Sequence, residues 1–207
     1  MIKTILVTGG TGYIGSWVVK ELLEKGYRVR VPVRAFSKKE KYQHLLGLPN
    51  SGSLLEPFEA DLLIDGTFDS AAEGADAIIH MASPFILRFK DPQRDLVDPA
   101  VKGTRNVLGA ANKSSTVKRV VLTSSVAAVH GDNIDLKEQG LSEFTEEHFN
   151  NTSSLKHQPY SFSKVQAERE AWRINAEQSK WKLGVINLAL VLGLSLAGNS
   201  NSETFKS

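Results

Sequence analysis

MIKTILVTGGTGYIG, residues 1–15, decides the fold. A short β-branched apolar run from Met1 to Thr8 stops at a glycine cluster, and a helical spacing of apolar residues begins directly after it. Ile14, Trp17, Val18, Leu22 and Leu23 are expected on the buried face of that helix. The order is strand, turn, helix. Glycines at 9, 12 and 15 give a G-x-x-G-x-x-G spacing, one residue wider in its first gap than the G-x-G-x-x-G dinucleotide fingerprint. Gly9 permits a tight turn, Gly12 lets the backbone approach a pyrophosphate, and Gly15 lets helix pack on strand. The amides and the positive dipole end at the helix start favour an anion. An ordinary glycine-rich turn shares the pattern; its place inside a strand-turn-helix unit is what favours a dinucleotide.

Outward from this turn the alternation repeats. Gly26 closes the helix and RVRVPV (28–33) is a second strand, followed by a charged helix over 38–46. A third strand is expected over 54–59, ending at Asp61, then a short helix near 67–73 and a fourth strand, DAIIH (76–80), buried on both faces. A helix over 95–112 leads to a fifth strand, RVVLT (119–123), that runs into Ser124 and Ser125. The polar stretch 131–159 reads as a functional or mobile loop. A helix over 160–178 and a sixth strand over 183–192 complete the pattern. This is an α/β chain: a Rossmann doubly wound parallel sheet with helices on both faces and right-handed crossovers. The expected division is a dinucleotide-binding domain carrying the catalytic residues over 1–194, and a polar tail over 195–207 that begins a missing substrate-binding portion.

Composition narrows the function. A chain of 207 residues with 41% hydrophobic content builds one sizeable core. The formal net charge of +2 comes from 25 basic and 23 acidic residues interspersed along the chain, so no phosphate-backbone patch stands out and nucleic acid is not an expected partner. Cysteine is absent, which excludes disulfides, thiolate metal sites and Cys nucleophiles; no metal is expected. The longest apolar stretch, LGVINLALVLG (183–193), is too short to span a bilayer, and no signal peptide is read, so the expected location is cytoplasmic.

The second strand ends at Arg34, where an acidic residue would hold the ribose 2′-OH of NAD. With Lys38, Lys39 and Lys41 nearby, Arg34 offers a charge-assisted grip on a 2′-phosphate, so NADP(H) is preferred and NAD(H) is second choice; a solvated basic helix surface is the alternative reading. Asp61 is suited to accept from an adenine amino group or to cap a helix. Tyr160 and Lys164, in YSFSK, lie at i and i+4 on one helix face, where the ammonium is expected to stabilise the phenolate. Tyr160 then protonates a carbonyl oxygen while hydride arrives, and Ser125 at the carboxyl edge of the sheet hydrogen-bonds that oxygen. Taken alone, the Tyr and Lys would read as an ordinary surface helix.

TGGTGYIG (8–15), DL (61–62), HMASPF (80–85), LTSS (122–125) and YSFSK (160–164), in this order, resemble the extended short-chain dehydrogenase/reductase superfamily. PVRAFSKKEKYQHLLGLP (32–49) and RDLVDPAVKGT (94–104) are similar to its dihydroflavonol 4-reductase-like branch of NADPH-dependent aldehyde and ketone reductases, more than to sugar-nucleotide epimerases. The resemblance implies Ser125, rather than Ser124, together with Tyr160 and Lys164 as the catalytic group. It implies Gly9, Gly12, Tyr13, Ile14 and Gly15 on the cofactor, Arg34 and Lys41 at its 2′-phosphate, Asp61 and Leu62 at its adenine, and Met81, Ala82, Ser83 and Thr123 along it, with Tyr160 and Lys164 at the nicotinamide end. His80 reads as a packed, hydrogen-bonded histidine, and Phe85 as substrate-lining or core. The proton-relay Asn of many members corresponds to Ala100, with Asn106 nearly two turns on, and two prolines common in the family correspond to Leu188 and Leu194. Members run more than a hundred residues further, which implies a fragment or a chain lacking much of its pocket. The implied activity is NADPH-dependent reduction of a small carbonyl compound by a monomer or homodimer. An NAD-dependent sugar-nucleotide epimerase or dehydratase and a non-catalytic dinucleotide sensor are the alternatives.

Overall fold

The structure is a computed structural model that describes residues 3–83 and 89–197. Strands β1 (Thr4–Thr8), β2 (Arg28–Val33), β3 (Leu55–Glu59), β4 (Ala77–His80), β5 (Arg119–Ser125) and β6 (Lys182–Leu188) form a six-stranded sheet in the order β3-β2-β1-β4-β5-β6. Every pairing is parallel. The order reverses between β1 and β4, the switch point at which an open α/β sheet leaves a crevice beyond the strand ends. The described helices are α1 (Tyr13–Glu24), α2 (Gln43–Leu46), α3 (Ser51–Leu54), α4 (Asp69–Ala72), α5 (Asp98–Lys113), α6 (Ile134–Glu138) and α7 (Pro159–Ala176). Among the described residues no helix is long and apolar enough to cross a membrane.

β1 is buried at every position because helices cover both of its faces. Alternation sends Leu6 into one core with Ile78, Val120, Val107 and Leu108 of α5, and Ala171 and Ile174 of α7. It sends Ile5 and Val7 into the other, with Val29, Val31, Val19 and Leu23 of α1, Tyr42 and Leu45. Each such fully buried aliphatic side chain contributes roughly 1.5–3 kcal/mol. The two cores fix the strand ends, and the candidate site residues follow from those ends.

Local departures from the sequence reading have packing causes. The charged helix over 38–46 is a 3-10 turn, Lys39–Lys41, followed by the short α2, because Tyr42 leaves helical geometry (φ −137°) to bury its ring in the core. On α1 the buried residues are Gly15, Ser16, Val19 and Leu23, a stripe offset from the expected one. Trp17 is 36% exposed and its indole donates to the Leu194 carbonyl at 2.8 Å. β6 stops at Leu188, and Leu190 and Leu192 are exposed rather than strand residues. Pro99 sits in the first turn of α5, where its missing N–H costs nothing.

The stretch 131–159, read as a loop, contains α6 and is pinned from within. Buried Asn150 donates from Nδ2 to the Ala127 and His130 carbonyls and accepts at Oδ1 from the Thr152 and Ser153 amides. Buried Asp135 accepts from the Thr152 hydroxyl at 2.6 Å and the Asp132 amide at 3.1 Å. Such local side-chain bonds stand in for a backbone ladder.

At Gly15 an added Cβ would lie 2.1 Å from the Gly9 carbonyl oxygen and 2.8 Å from its carbon, both backbone atoms that cannot rotate away. At Gly109, inside α5, an added Cβ meets nothing within 4 Å. Gly15→Ala is therefore expected to lower unfolding free energy by about 1–3 kcal/mol. Gly109→Ala should raise it by about 0.5–1 kcal/mol. Urea denaturation midpoints of the two variants measure both signs.

Candidate active site

The glycine turn closes against the exit of β4. Gly9 has φ +72°, and a Cβ there would lie 2.8 Å from the Ala82 amide nitrogen, so only glycine lets the two segments approach this closely. Thr8 fastens the same junction: its hydroxyl accepts from the Met81 and Ala82 amides at 3.2 and 3.1 Å and bonds His80 Nδ1 at 2.7 Å. With both lone pairs engaged, the hydroxyl hydrogen goes to Nδ1, which places the imidazole proton on Nε2. His80 is 2% exposed, and burial pushes its pKa down to about 3, with Lys164 as the lesser cause. It is a neutral packing residue, in agreement with the sequence reading.

Gly12 is the N-cap of α1, with no side-chain cap and no acidic residue in the first turn. A Cβ at Gly12 would stand 3.2 Å from the Gly9 carbonyl. The helix start therefore presents a side-chain-free cradle at its positive end, the requirement for a bound diphosphate. Tyr13, Ile14 and Gly15 form its first turn.

α7 brings the second half of the site to this junction. Gln158, the residue before Pro159, holds a left-handed conformation (φ +52°, ψ 55°), which costs a non-glycine residue about 1–3 kcal/mol. Asp132 offsets that strain by accepting from Gln158 Nε2 at 2.5 Å and bonding His157 Nε2 at 2.7 Å. Pro159 opens α7, Tyr160 is its second residue, and Lys164 follows a turn later. Lys164 Nζ lies 5.5 Å from the centre of the Tyr160 ring and donates to Ser83 Oγ at 2.8 Å. Ser83 directly follows Ala82, so the ammonium sits against the segment that abuts Gly9. Burial lowers the Lys164 pKa to about 8 and raises that of the Tyr160 phenol. Burial thus favours the protonated phenol at neutral pH.

Ser125 ends β5 and caps the 3-10 turn Val126–Ala128, its Oγ accepting from the Ala127 amide at 3.2 Å. Ser124 faces the other way and is buried. Thr123 and Ser83 line, with His80, Ala82, Ala100, Thr104, Ser124 and Lys164, a small cavity of about 20 Å³. Ala100 thus faces the space beside Lys164, and Asn106 is committed elsewhere. It donates to the Leu62 and Ile64 carbonyls and accepts from the Gly66 amide, holding the loop after β3.

Other expected residues lie further from this junction. Arg34 and Lys41 are exposed at and beyond the end of β2. Asp61 Oδ1 accepts from the Leu63 amide at 2.8 Å, capping a turn, and Leu62 packs where a Cβ on Gly103 would come within 2.6 Å. Met81 packs against the α1-side core. Phe85 lies outside the described residues. A concavity of about 870 Å³ runs along α5 past Leu63, Lys102 and Gln166, and neither Tyr160 nor Lys164 lines it. Sequence reasoning missed the Thr8 clamp and the Asp132–Gln158 brace. Nothing in either residue's neighbourhood signals a partner so far along the chain.

The NAD dependent epimerase/dehydratase family matches residues 5–206. Among similar relatives, cinnamoyl-CoA reductase CAD2 of Medicago truncatula is 42% identical over 194 residues, covering 92% of this chain and 58% of that protein. Dihydroflavonol 4-reductase of Arabidopsis thaliana is 35% identical over 189 residues, covering 91% of this chain and 50% of that protein. A crystal structure of Gre2 from Candida albicans in complex with NADPH superposes with a TM-score of 0.76 at 34% identity, covering 89% of this chain and 57% of that one. The chain therefore spans little more than half the length of the proteins it matches.

The buried imidazole makes stability depend on pH. Between about 3, where His80 protonates in the folded chain, and its ordinary value of 6.5, the unfolded chain binds more protons. Stability then rises with pH through that window and is lost on acidification, by up to about 1.4 kcal/mol per pH unit from this group. His80→Asn should flatten that part of the curve, measured as urea midpoints at closely spaced pH values between the two.

Proposed function

Because the chain belongs to the NAD dependent epimerase/dehydratase family, in the dihydroflavonol 4-reductase-like branch of the extended short-chain dehydrogenases/reductases, we propose that it acts as an NADPH-dependent reductase of a small aldehyde or ketone. The observation that carries the reading is the Lys164–Ser83 hydrogen bond, which ties the Tyr160 helix to the strand exit against Gly9. Around it gather a phenol, an ammonium, a serine hydroxyl and an uncapped helix start.

The residues present fit a dinucleotide. Gly9 and Gly15 let the backbone close tightly on Ala82 and on itself, Gly12 puts no side chain at the start of α1, and the first turn of α1 holds no acid to repel a diphosphate. Arg34 and Lys41, exposed past the end of β2, would pair with a 2′-phosphate, and Asp61 with Leu62 would border the adenine. Ala82, Ser83 and Thr123 would flank the path toward Tyr160. When bound, NADPH supplies the hydride, two electrons and one hydrogen, that goes to the carbonyl carbon. Tyr160 supplies the proton to the carbonyl oxygen, its phenol being protonated at neutral pH, and draws a replacement from solvent after turnover. Ser125 orients that oxygen by a hydrogen bond. Lys164, largely desolvated with a pKa of about 8, would hold the ribose and would keep positive charge beside the phenolate left behind.

Two other readings have less behind them. A sugar-nucleotide epimerase would favour an acid at position 34 for NAD, where this chain has Arg34. A dinucleotide sensor would not need Tyr160, Lys164 and Ser125 together.

Tyr160→Phe should leave NADPH affinity within about twofold and cut turnover by roughly 10²–10⁴. Stopped-flow NADPH oxidation against a panel of aldehydes, with fluorescence titration of the cofactor, measures both, and retained turnover would assign the proton to another group. Arg34→Glu should weaken NADPH by 10-fold or more, on the order of one charge-assisted pair. NADH should be almost unaffected; equal losses for both cofactors would remove the 2′-phosphate assignment.

A further inference from the structure

α7 carries a third polar residue on the face that presents Tyr160 and Lys164. Glu168 follows Lys164 by four residues, as Lys164 follows Tyr160, so the three stack on one side of the helix. Its surroundings are unlike those of the surface acids. It is 4% exposed, makes no ion pair among the described residues, and lines the same small cavity as Lys164. Its Oε2 accepts from the Ser124 hydroxyl at 2.5 Å and from Asn187 Nδ2 at 2.8 Å, while Oε1 accepts from Trp172 Nε1 at 3.4 Å. The same Asn187 amide reaches the Ser125 carbonyl at 3.2 Å.

A carboxylate buried among neutral donors is costly unless its bonds are all made, and a hydrophobic residue would pack here more cheaply. What the carboxylate alone provides is a junction of three elements. Ser124 and Asn187 are register partners at the ends of β5 and β6, and Glu168 joins both to α7 through one oxygen. Next to Ser124 stands Ser125, and two turns before Glu168 stands Tyr160. The serine that would orient the carbonyl and the phenol that would protonate it reside on different elements; this carboxylate is a polar link between those elements.

We propose that Glu168 is a positioning residue: through Ser124 and Asn187 it sets the end of β5, and hence Ser125, relative to Tyr160 and Lys164. This rests on the reductase reading of the site. A glutamine reproduces the link only in weakened form. With its amide oxygen on the Ser124 and Asn187 donors, both bonds lose their charge assistance, and its NH2 group is left facing the Trp172 indole donor.

The test uses Glu168→Gln, Ser125→Ala and the double variant in the full protein. Glu168→Gln should lower kcat by roughly 10- to 100-fold, the scale of a misplacement of about an ångström, with the carbonyl KM and NADPH affinity within about twofold. Because Glu168 acts through Ser125, the double variant should be no slower than Ser125→Ala alone. In parallel, amide hydrogen exchange in 120–129 should quicken in Glu168→Gln while exchange in 4–15 stays the same. Losses that multiply in the double variant, or unchanged exchange at 120–129, overturn the proposal. A parent protein that binds NADPH and reduces no carbonyl overturns the reductase reading instead, and the exchange measurement then decides the role of Glu168 alone. If Glu168→Gln is too unstable to assay, Ser124→Ala, which removes one donor to the same oxygen, should show a smaller kcat loss with the same non-additivity toward Ser125→Ala.

Discussion

The backbone of Gly9 and the amide of Ala82 meet at a distance that leaves no room for a side chain, and the organisation of the site follows from that contact. β1 and β4 are neighbours at the point where strand order reverses. Their exits would splay over the crevice if the turn after β1 carried a Cβ at this point. The positive φ of Gly9 folds the chain back, the Thr8 hydroxyl locks the Met81 and Ala82 amides, and Ser83 is thereby delivered to Lys164. The glycine turn and the Tyr–Lys helix, some hundred and fifty residues apart in the chain, become two sides of one cleft through a single serine.

Two opposed electrostatic demands meet there. Lys164 must be buried enough to bond Ser83 and approach the Tyr160 ring, and burial lowers its pKa to about 8, leaving it mainly charged at neutral pH. The same burial raises the phenol, so the resting pair is an ammonium beside a neutral hydroxyl. In the proposed reduction this combination suits proton donation: the acid would hold its proton until negative charge develops on a substrate oxygen, and the adjacent ammonium would stabilise what remains. The strained entry to α7 at Gln158, braced by Asp132, aims this pair and explains why the long segment before it is knitted by buried Asn150 and Asp135 instead of being left loose.

Much of this was legible in the sequence, for reasons that can be assigned. The strand bounds of β2 follow from alternation alone, and Gly9, Gly12 and Gly15 are visible because a backbone without side chains has to be written in glycine. Tyr160 and Lys164 share a helix face by spacing. The alternation of strand and helix determines a parallel sheet, and the resemblance of its motifs identifies the family, since both are properties of residues close together in the chain.

What tertiary structure alone decided is of another kind. Trp17 fits the apolar stripe of α1, yet it stands exposed because the stripe that meets β1 is set by Gly15, Val19 and Leu23. Tyr42 breaks the charged helix for a place in the core. The protonation preference of Tyr160, the clamp made by Thr8 and the burial of Glu168 depend on atoms that lie many residues away. Spacing fixes which side chains can share a face; only the packed cores fix how much water is removed from each, and in this site the direction of a pKa follows from that removal.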